Sequence, residues 1–522
     1  MIAVSSAEMR ELERRLIEEY RIQGVDLMER AGMGVATCVH SFSSDNDLTD
    51  GRVLCIAGRG NNGGDAFVAA RYLKKLGMDV AVWIAGDVAQ ITGDAAFHLS
   101  KLKAAKVRVT HLPTLDDWRY AIKEADPVEI IVDGILGTGA HGPARGPVAG
   151  AIQFIRARAA NSLVISIDVP SGLNADTGQA EGDVVSADLT ATIGLPKVGL
   201  FAPSATNWVG AVEVVELGLP PALLPRLTEK HCALIGTPEI RSLFRPRARN
   251  THKGDYGHGV LIGGGGPYTG AISLAAQAAL RSGIGLLSAV VPRSHRDLVA
   301  ISAVEAMVMG APETEAGSFD ERAIDVIRSH FTPNRVFAVG SGMTRSPSTR
   351  VLVEAILREA TGPLVVDADA LSAMAGEPEI FRQAKQPVIL TPHPGEAATL
   401  LGTTAQAVQA DRMAAARELA ARSGAVVVLK GAGTLVARSG EPIHICTNGN
   451  PGMARGGMGD VLTGVILAFL AQGFDPLNAA RVAVYFHGAS GDIAARRGGQ
   501  LSATPLDVIK DLGYAYHAIL AR

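Results

Sequence analysis

The fold of the second half of the chain is decided by one stretch, Asn448-Gly-Asn-Pro-Gly-Met-Ala-Arg-Gly-Gly-Met-Gly-Asp460, and by the apolar run that follows it at 461–470. Together they predict a glycine-rich loop that opens a buried helix. The glycines let the backbone approach a ligand, and the helix start offers unpaired N–H groups and a positive dipole end to an anion. Asp460 lies in the first turn, where it acts either as the base of a phosphoryl transfer or only as a complement to the helix start. This stretch alone favours neither interpretation.

Length and composition indicate a two-domain α/β enzyme. The chain of 522 residues exceeds what one hydrophobic core usually organises. Hydrophobic residues make up 47% of the chain, aromatic residues only 5%, and glycine occupies 59 positions, which is typical of an Ala-, Val- and Gly-rich α/β protein. The run Leu219-Pro-Pro-Ala-Leu-Leu-Pro225 interrupts the pattern of strands and helices. We therefore predict two domains, 1–226 and 227–522.

Charge and apolar patterning exclude several classes of partner. The 49 basic and 52 acidic residues give a net charge of −3, which provides no electrostatic footprint for nucleic acid or an anionic membrane. The four cysteines, Cys38, Cys55, Cys232 and Cys446, show no metal-ligand spacing and are expected to be buried thiols. The N-terminus lacks a signal-peptide pattern, and no run of about 18 apolar residues occurs. We expect a soluble protein of the cytoplasm that binds no membrane.

In the first half, an apolar strand at 52–57 runs into the loop Gly58-Arg-Gly-Asn-Asn-Gly-Gly-Asp65, and a helix is predicted from Ala66 to about Leu76. The glycines match G-x-G-x-x-G, and Asp79 follows at about the distance expected in a dinucleotide-binding Rossmann unit. The polar side chains of the loop oppose that interpretation, because a carboxylate at the helix start would repel a pyrophosphate seated there. On these residues alone, a dinucleotide-binding Rossmann domain stays open.

Two further strands of the first half also end in polar, glycine-containing loops. Glu129-Ile-Ile-Val-Asp133 leads into 134–142, and Leu163-Val-Ile-Ser-Ile-Asp168 leads into 169–173. Because the carboxyl ends of parallel strands share one edge of a sheet, these loops and the loop at 58–65 are expected to converge on one crevice. A single aspartate after a strand is usually a turn former. Three such strand ends together favour a ligand site.

The second half repeats this arrangement. Apolar segments run into four consecutive glycines at 263–266, into the polar end of 364–370, into Thr391-Pro-His-Pro-Gly-Glu396, and into Lys430-Gly-Ala-Gly-Thr434. The lysine and the glycine turn after it could hold a nucleotide phosphate, although a lone lysine at such a place is more often structural. The pattern G-x-x-x-x-G-K-[ST] does not occur, which excludes a P-loop fold.

The first half resembles the NAD(P)H-hydrate epimerase family through three motifs, Asn61-Asn-Gly-Gly-Asp65, Asp133 with Gly137-Thr-Gly139, and Asp168-Val-Pro-Ser-Gly172. The resemblance implies a Rossmann-like αβα sandwich in which Asp168 is the acid/base at the hydrated nicotinamide. It also implies a potassium ion held by Asn62, Asp133 and Ser171, since hard cations take oxygen ligands. The hydrated dinucleotide would be bound by Asn61, Asn62, Gly63, Gly64, Asp65, Gly137, Thr138, Gly139, Ala140, His141, Gly142, Pro143 and Asp168.

The second half resembles the NAD(P)H-hydrate dehydratase family, which has a ribokinase-like α/β fold. The motifs that carry this resemblance are His252-Lys-Gly-Asp-Tyr-Gly-His258, Thr391-Pro-His-Pro-Gly-Glu396, Lys430-Gly-Ala-Gly-Thr434, Asn450-Pro-Gly-Met453 and Gly456-Gly-Met-Gly-Asp460. The resemblance implies that Asp460 is the catalytic base and that the substrate contacts are Ala271, Gly342, His393 and Asp460. The adenine nucleotide would be bound by Lys430, Gly431, Ala432, Gly433, Thr434 and Gly459.

The two resemblances cover nearly the whole chain and imply a bifunctional repair activity. The first domain would interconvert the R and S epimers of hydrated NADH and NADPH, called NADHX and NADPHX. The second would dehydrate the S form with ADP as co-substrate, through a transient phosphorylated intermediate that gives AMP and phosphate, and magnesium is expected with the nucleotide. A homo-oligomer is also expected.

Two positions depart from the families, and two other functions stay open. Ala66 replaces a frequent glycine, and Arg455 replaces a small residue, so that its side chain either reaches a phosphate or points to solvent. The first alternative function is an NAD-dependent oxidoreductase, using the glycines at 58–63, fused to a ribokinase-like small-molecule kinase. The second is a nucleotide-binding regulator whose first domain only binds a partner.

Overall fold

The computed structural model describes residues 1–139, 142–180, 182–224 and 231–521. The chain divides into two compact units, Ile2–Arg226, called the N-terminal unit, and Leu227–Arg522 with Met1, called the C-terminal unit. The predicted domain boundary at 226/227 lies outside the described residues, so its position stays a prediction. In the part of the chain that the structure describes, no helix is both long and apolar enough to span a lipid bilayer.

Strands and helices alternate along most of the N-terminal unit. The strands are β1 (Ile2–Ala3), β2 (Val53–Ala57), β3 (Val80–Ala85), β4 (Arg108–Leu112), β5 (Ile130–Gly134), β6 (Leu163–Ile167), β7 (Leu189–Ile193) and β8 (Ala211–Val215). The helices are α1 (Ser6–Glu18), α2 (Gly24–Asp45), α3 (Asn61–Lys75), α4 (Gly93–Ala104), α5 (Leu115–Glu124), α6 (Gly146–Arg158) and α7 (Thr206–Val209). Strands β2 to β8 form a seven-stranded parallel sheet in the order β4-β3-β2-β5-β6-β7-β8.

Apolar side chains cover both faces of this sheet. Along β2, Val53 and Cys55 lie in the core formed with α2 and α3, whereas Leu54 and Ile56 lie in a second core that contains Trp118 of α5. Every residue of β2 is buried, as expected for a parallel strand that helices cover on both sides. The predicted αβα sandwich is therefore confirmed.

Helix α3 begins at Asn61 and not at Ala66, so the predicted helix start was wrong. The carbonyl of Gly60, which precedes the helix in an extended conformation, accepts the N–H of Gly64 at 3.1 Å. A side chain at Gly63 would lie 2.1 Å from the carbonyl oxygen of Gly58, the residue that directly follows β2. The glycines therefore allow the helix to start immediately after the turn, and the polar motif at 61–65 lies inside the helix.

The C-terminal unit carries a larger set of elements. Its strands are β9 (Cys232–Leu234), β10 (His258–Ile262), β11 (Leu286–Pro292), β12 (Met307–Ala311), β13 (Arg335–Val339), β14 (Leu364–Val366), β15 (Val388–Leu390), β16 (Val426–Leu429), β17 (Thr434–Ala437) and β18 (Ile443–Cys446). Its helices are α8 (Thr237–Ser242), α9 (Thr269–Arg281), α10 (Arg296–Ser302), α11 (Ala323–Arg328), α12 (Pro347–Glu359), α13 (Ala368–Ser372), α14 (Pro394–Leu401), α15 (Ala405–Ala410), α16 (Arg412–Ser423), α17 (Met458–Ala471), α18 (Pro476–Gly498) and α19 (Pro505–Leu520).

These strands pair in the order β9-β18-β17-β16-β15-β14-β13-β10-β11-β12. The pairs β16/β17 and β17/β18 are antiparallel and the others are parallel. A mostly parallel sheet with crossover helices is the α/β architecture predicted for this half.

Helix α17 lies at the centre of the C-terminal unit. All residues at 461–470 are buried, which confirms the predicted buried helix. A side chain at Gly464 would lie 2.1 Å from the carbonyl oxygen of Ala275 in α9, so the backbones of the two helices approach each other closely. This packing fixes the first turn of α17, which carries Asp460.

Candidate active sites

In the N-terminal unit, three predicted loops leave the sheet side by side. They follow β2, β5 and β6, which are adjacent parallel strands whose carboxyl ends share one edge. The motifs that begin there are Asn61–Asp65, the segment after Asp133 and the turn at Asp168. The predicted convergence is confirmed. Ala140 and His141 of the predicted binding loop lie outside the described residues.

Asp133, near the end of β5, is completely buried and accepts hydrogen bonds from four donors. Its Oδ1 accepts the Ser171 hydroxyl at 2.6 Å and the Ile135 N–H at 3.3 Å. Its Oδ2 accepts the Ser166 hydroxyl at 2.9 Å and the Ser171 N–H at 2.9 Å. Burial raises the pKa of this carboxyl, and the donors oppose that shift without cancelling it.

Asn62 joins the same network through the backbone of Leu136. Its Nδ2 donates to the carbonyl oxygens of Leu136 at 2.7 Å and Ile167 at 3.2 Å, and the Leu136 N–H donates to Ser171 Oγ at 2.9 Å. Asn62, Asp133 and Ser171 therefore lie in one cluster rich in oxygen atoms, a donor set that fits a hard monovalent cation. In the described ranges, no group of three or more His, Cys, Asp or Glu side chains could hold a metal ion.

Asp168 follows β6 and has a left-handed backbone, with a φ of 66° that is uncommon for a residue other than glycine. Its Oδ1 accepts a short hydrogen bond from the ammonium of Lys197 and the Ile193 N–H at 3.1 Å. Lys197 is only 1% exposed. The predicted acid/base is therefore half of a buried ion pair. Sequence reasoning missed Lys197, because no motif surrounds it and it is 29 residues away along the chain.

Two further carboxyl groups lie close enough to interact with Asp168. Burial, reinforced by the charges of Asp168 and Glu13, raises the pKa of Asp65 well above its usual range. Burial and the charge of Asp168 also raise the pKa of Glu13, in α1. Lys197 opposes both shifts. A carboxylate paired with a lysine thus lies near carboxyl groups that bind protons more readily, an arrangement suited to acid/base chemistry.

The acidic residue that would complete the G-x-G-x-x-G pattern, Asp79, lies away from the sheet edge at which the three loops converge. Asp79 precedes the first residue of β3, at the amino end of that strand, where it is exposed and pairs with Arg108 at 3.2 Å. Ligands of such sheets bind beyond the carboxyl ends of the strands. The glycine pattern therefore lacks its expected ribose-binding partner, which weakens the oxidoreductase interpretation.

In the C-terminal unit, five adjacent parallel strands deliver their following residues to one sheet edge. These strands are β16, β15, β14, β13 and β10, in that order across the sheet. The segments that follow them begin at Lys430, Thr391, Asp367, Gly340 and Gly263. The predicted second convergence of polar loops is confirmed.

Asp460 lies in the first turn of α17, three residues after the left-handed Gly457 that precedes the helix. Burial raises the pKa of this carboxyl to about 6, with the charge of Asp367 adding to the shift and that of Lys430 opposing it. A carboxyl group with this pKa can accept a proton near neutral pH, and the N–H groups of the helix start face the same place. The surroundings favour a catalytic base over a simple helix complement.

A buried ion pair lies next to Asp460. The carboxylate of Asp367 accepts Lys430 Nζ at 2.8 Å, the Thr391 hydroxyl at 2.7 Å and the Thr463 hydroxyl at 2.8 Å. Thr463 belongs to α17, so these hydrogen bonds connect the helix to the ends of β14 and β15. Sequence reasoning noted the strand end at Asp367 but gave this residue no role.

Lys430 also adjoins the first turn of α17. A side chain at Gly459 would come within 3.3 Å of Lys430 Nζ, so the structure brings these two predicted nucleotide-binding positions together. Burial lowers the pKa of Lys430, but Asp367 and Glu396, whose carboxylate is 3.8 Å away, outweigh that effect and the net shift is upward. Lys430 is therefore a fixed cation at the edge of the site.

The predicted nucleotide loop at 430–434 is held in place by Arg412 of α16. The guanidinium donates to the carbonyls of Leu429 at 2.9 Å and Lys430 at 3.1 Å, and makes a short hydrogen bond to that of Ala432. Burial lowers the pKa of Arg412 to about 10. Sequence reasoning missed this residue, because an arginine at the start of an alanine-rich helix resembles a surface position.

The predicted substrate contacts occupy different surroundings. Gly342 is left-handed, and a side chain there would lie 2.5 Å from Cβ of Tyr268 and 3.3 Å from Cβ of Ala271, so Ala271 and Gly342 are neighbours. His393 precedes α14, and its Nδ1 accepts two backbone N–H groups of that helix at 3.0 and 3.3 Å. Nδ1 therefore carries no proton, and Nε2 lies 3.5 Å from Oε1 of Glu396.

Arg455 makes a contact that the sequence did not predict. Its guanidinium donates to the carbonyl of Leu501 at 2.9 Å, and both residues are exposed. The neighbouring Gly456 has open space where a side chain would be. Arg455 therefore joins the loop before α17 to the segment before α19.

Two family models match the chain. The family described as YjeF-related protein N-terminus matches residues 24–199, and the family described as NAD(P)H-hydrate dehydratase matches residues 259–512. The bifunctional NAD(P)H-hydrate repair enzyme Nnr of Moorella thermoacetica is 39% identical over 98% of this chain and 96% of its own length. The enzyme of the same name from Coxiella burnetii is 34% identical over 98% of each chain.

A solved structure is also similar to the second half. It is an ADP/ATP-dependent NAD(P)H-hydrate dehydratase from Bacillus subtilis, co-crystallised with ATP and Mg²⁺. That protein is 28% identical, with a TM-score of 0.49, and the match covers 55% of this chain and 98% of the other.

The full-length relatives match both halves in the order in which the two sites occur. This match sets aside the oxidoreductase and the regulator. The chain therefore belongs to the family of bifunctional NAD(P)H-hydrate repair enzymes, with NAD(P)H-hydrate epimerase activity in its first half and NAD(P)H-hydrate dehydratase activity in its second.

Proposed function

We propose that the epimerase reaction uses Asp168 as the acid/base at the ring carbon that bears the hydroxyl. The proposal is supported by the place of Asp168 at the shared strand edge, its pairing with Lys197 and the nearby carboxyl group of Asp65. Residues 61–65 and 137–143 would hold the dinucleotide, because the N–H groups of a helix start suit its phosphates.

We propose that Asn62, Asp133 and Ser171 hold a potassium ion beside the dinucleotide. Their amide, carboxylate and hydroxyl oxygens are donors of the class that such a cation takes. The ion would supply positive charge near the phosphates of the ligand. Asn62, Asp133 and Ser171 would also hold the three converging loops together through the hydrogen bonds of their side chains.

We propose that the dehydratase reaction begins with transfer of a phosphoryl group from ADP to the hydroxyl of the S epimer. The observation that carries this proposal is the carboxyl of Asp460, whose pKa burial raises to about 6, in the first turn of α17. Asp460 would take the hydroxyl proton, while the N–H groups of the helix start stabilise the charge on the phosphoryl group. ADP then becomes AMP, and the hydroxyl becomes a phosphate ester.

The phosphate ester leaves more readily than hydroxide would. Departure of phosphate, together with a proton from the adjacent ring carbon, restores the double bond of NADH or NADPH, and the oxygen of the hydrate leaves in the phosphate. Ala271, Gly342 and His393 would contact the hydrated ring, whereas Lys430–Thr434 and Gly459 would contact the nucleotide. The positive charge of Lys430, held by Asp367, supports its assignment to a phosphate.

Magnesium is proposed to enter with the nucleotide, since Mg²⁺ is usually held by one or two carboxylates together with substrate phosphates. It would neutralise charge on the phosphoryl group. The preference for ADP over ATP, a homo-oligomeric assembly and a cytoplasmic location are proposals that rest on the sequence alone.

Asp460→Asn should abolish dehydration and leave epimerisation intact, because the amide cannot accept the hydroxyl proton and the epimerase site is in the other unit. Dehydration is measured by the return of reduced-nicotinamide absorbance from the S epimer with ADP and Mg²⁺. Asp297→Asn, which changes an exposed aspartate of α10, serves as the matched control and should keep both activities. Loss of both activities in Asp460→Asn would contradict the assignment of dehydration and epimerisation to separate units.

The dehydration rate should fall as the pH decreases through about 6, because protonation of Asp460 removes the base. Because burial raises this pKa, the carboxylate form is complete above about 6 and is lost below it. The measurement is kcat/KM for the S epimer against pH at saturating ADP. A rate that stays constant down to pH ~4, where an ordinary carboxyl titrates, would remove Asp460 from the role of base.

Asp168→Ala and Asp168→Asn should each slow epimer exchange by about 100-fold or more, the usual contribution of general acid/base catalysis. Asparagine tolerates the left-handed backbone at this position, so the second variant separates chemistry from folding. Exchange is followed chromatographically after mixing with one purified epimer, and dehydration of the S epimer serves as the internal control. An unchanged exchange rate in both variants would exclude Asp168.

A further inference from the structure

The ammonium group of Lys197 has used all of its hydrogen-bonding capacity inside the protein. It donates to Asp168 Oδ1 in a short hydrogen bond, to the carbonyl of Ile193 at 2.7 Å and to Thr192 Oγ1 at 3.5 Å. An ammonium group has three donors, and here three acceptors surround it. Lys197 therefore has no N–H left for a substrate, and any effect on the reaction must pass through Asp168.

The three hydrogen-bond donors around the Asp168 carboxylate all donate to the same oxygen, Oδ1. Oδ1 accepts from Lys197, from the Ile193 N–H at 3.1 Å and from the Thr192 hydroxyl at 3.4 Å. Among the described residues, no hydrogen bond to Oδ2 is found. Because one oxygen is fixed by three donors, the other is left to exchange a proton with a ligand, and the direction in which it points is set by the protein.

The carboxyl group of Asp168 lies among acidic neighbours in a mostly buried site. Its side chain is only 12% exposed, and the carboxyl groups of Glu13 on α1 and Asp65 on α3 interact with it unfavourably when charged. Lys197 is the positive charge that opposes both. Lys197 is itself held in place, since the bridge between Val4 and Lys197 joins its backbone to the start of the unit.

We propose that Lys197 is the positioning residue of the epimerase, which keeps Asp168 ionised and holds its free oxygen toward the substrate. This inference rests on the proposed role of Asp168 as the acid/base. The ion pair stabilises the carboxylate against burial and against its two acidic neighbours.

The test is the pH dependence of epimer exchange in Lys197→Met and Lys197→Gln, with Lys123→Met, at an exposed position of α5, as the matched control. Without the ammonium group, Asp168 is harder to ionise, so the acid limb of the rate profile should move to higher pH by about one to three units. Exchange near neutral pH should fall at least tenfold and recover as the pH rises. The glutamine variant keeps two donors without the charge, so it should show the same displacement if the methionine variant fails to fold.

A lower rate with an acid limb at the wild-type pH would overturn the proposal, because it would show a purely structural role for Lys197. A wild-type rate in either variant would overturn it as well. Asp168→Asn separates this failure from failure of the proposed function: if that variant exchanges epimers at the wild-type rate, the assignment of Asp168 is itself wrong. Dehydration of the S epimer by the same samples confirms that the chain is intact.

Discussion

Parallel strands end along a common sheet edge, and each unit of this chain places its polar loops at such an edge. In the N-terminal unit the ends of β2, β5 and β6 bring Asn62, Asp133 and Ser171 into one hydrogen-bond network although they are far apart in sequence. In the C-terminal unit Asp367, Thr391 and Lys430, which follow three adjacent strands, are joined by hydrogen bonds to one another and to Thr463 of α17. Glycines without room for a side chain, such as Gly63 and Gly464, let the adjoining helices start or pack close to these edges. The two chemistries therefore share a geometric basis.

Each site also contains an ion pair between a lysine and an aspartate, and the two ion pairs have different roles. In the N-terminal unit the pair is Lys197 with Asp168, so the proposed acid/base is itself a member. In the C-terminal unit the pair is Lys430 with Asp367, and the proposed base Asp460 stands beside it. Removing one partner of such a pair leaves an uncompensated buried charge, at a cost of about 3 to 5 kcal/mol. Lys430 forms its ion pair with Asp367 and not with Asp460. Burial can therefore raise the pKa of Asp460 to about 6 although a charged lysine lies nearby.

Much of this organisation was predictable from the sequence, because apolar strands followed by glycines and aspartates indicate both the fold class and the edge that carries the ligand. The glycine-rich start of α17 and the position of Asp460 in its first turn were predicted correctly. The start of α3 was predicted at the wrong residue. The helix begins directly after the turn because Gly63 lies close to Gly58, a tertiary contact that the sequence pattern does not show. Lys197 and Arg412 could not be predicted, because they act through tertiary contacts and no local pattern distinguishes them from ordinary basic residues.

If the two sites act in sequence on one damaged cofactor, the intact enzyme must also repair the R epimer. The most direct test gives the purified R epimer of hydrated NADH, with ADP and Mg²⁺, to the intact enzyme. The absorbance of reduced nicotinamide should return faster than spontaneous epimerisation allows, with AMP and phosphate formed in amounts equal to the NADH. Return of the absorbance without AMP, or no return from the R epimer under conditions that convert the S epimer, would contradict this sequence of reactions.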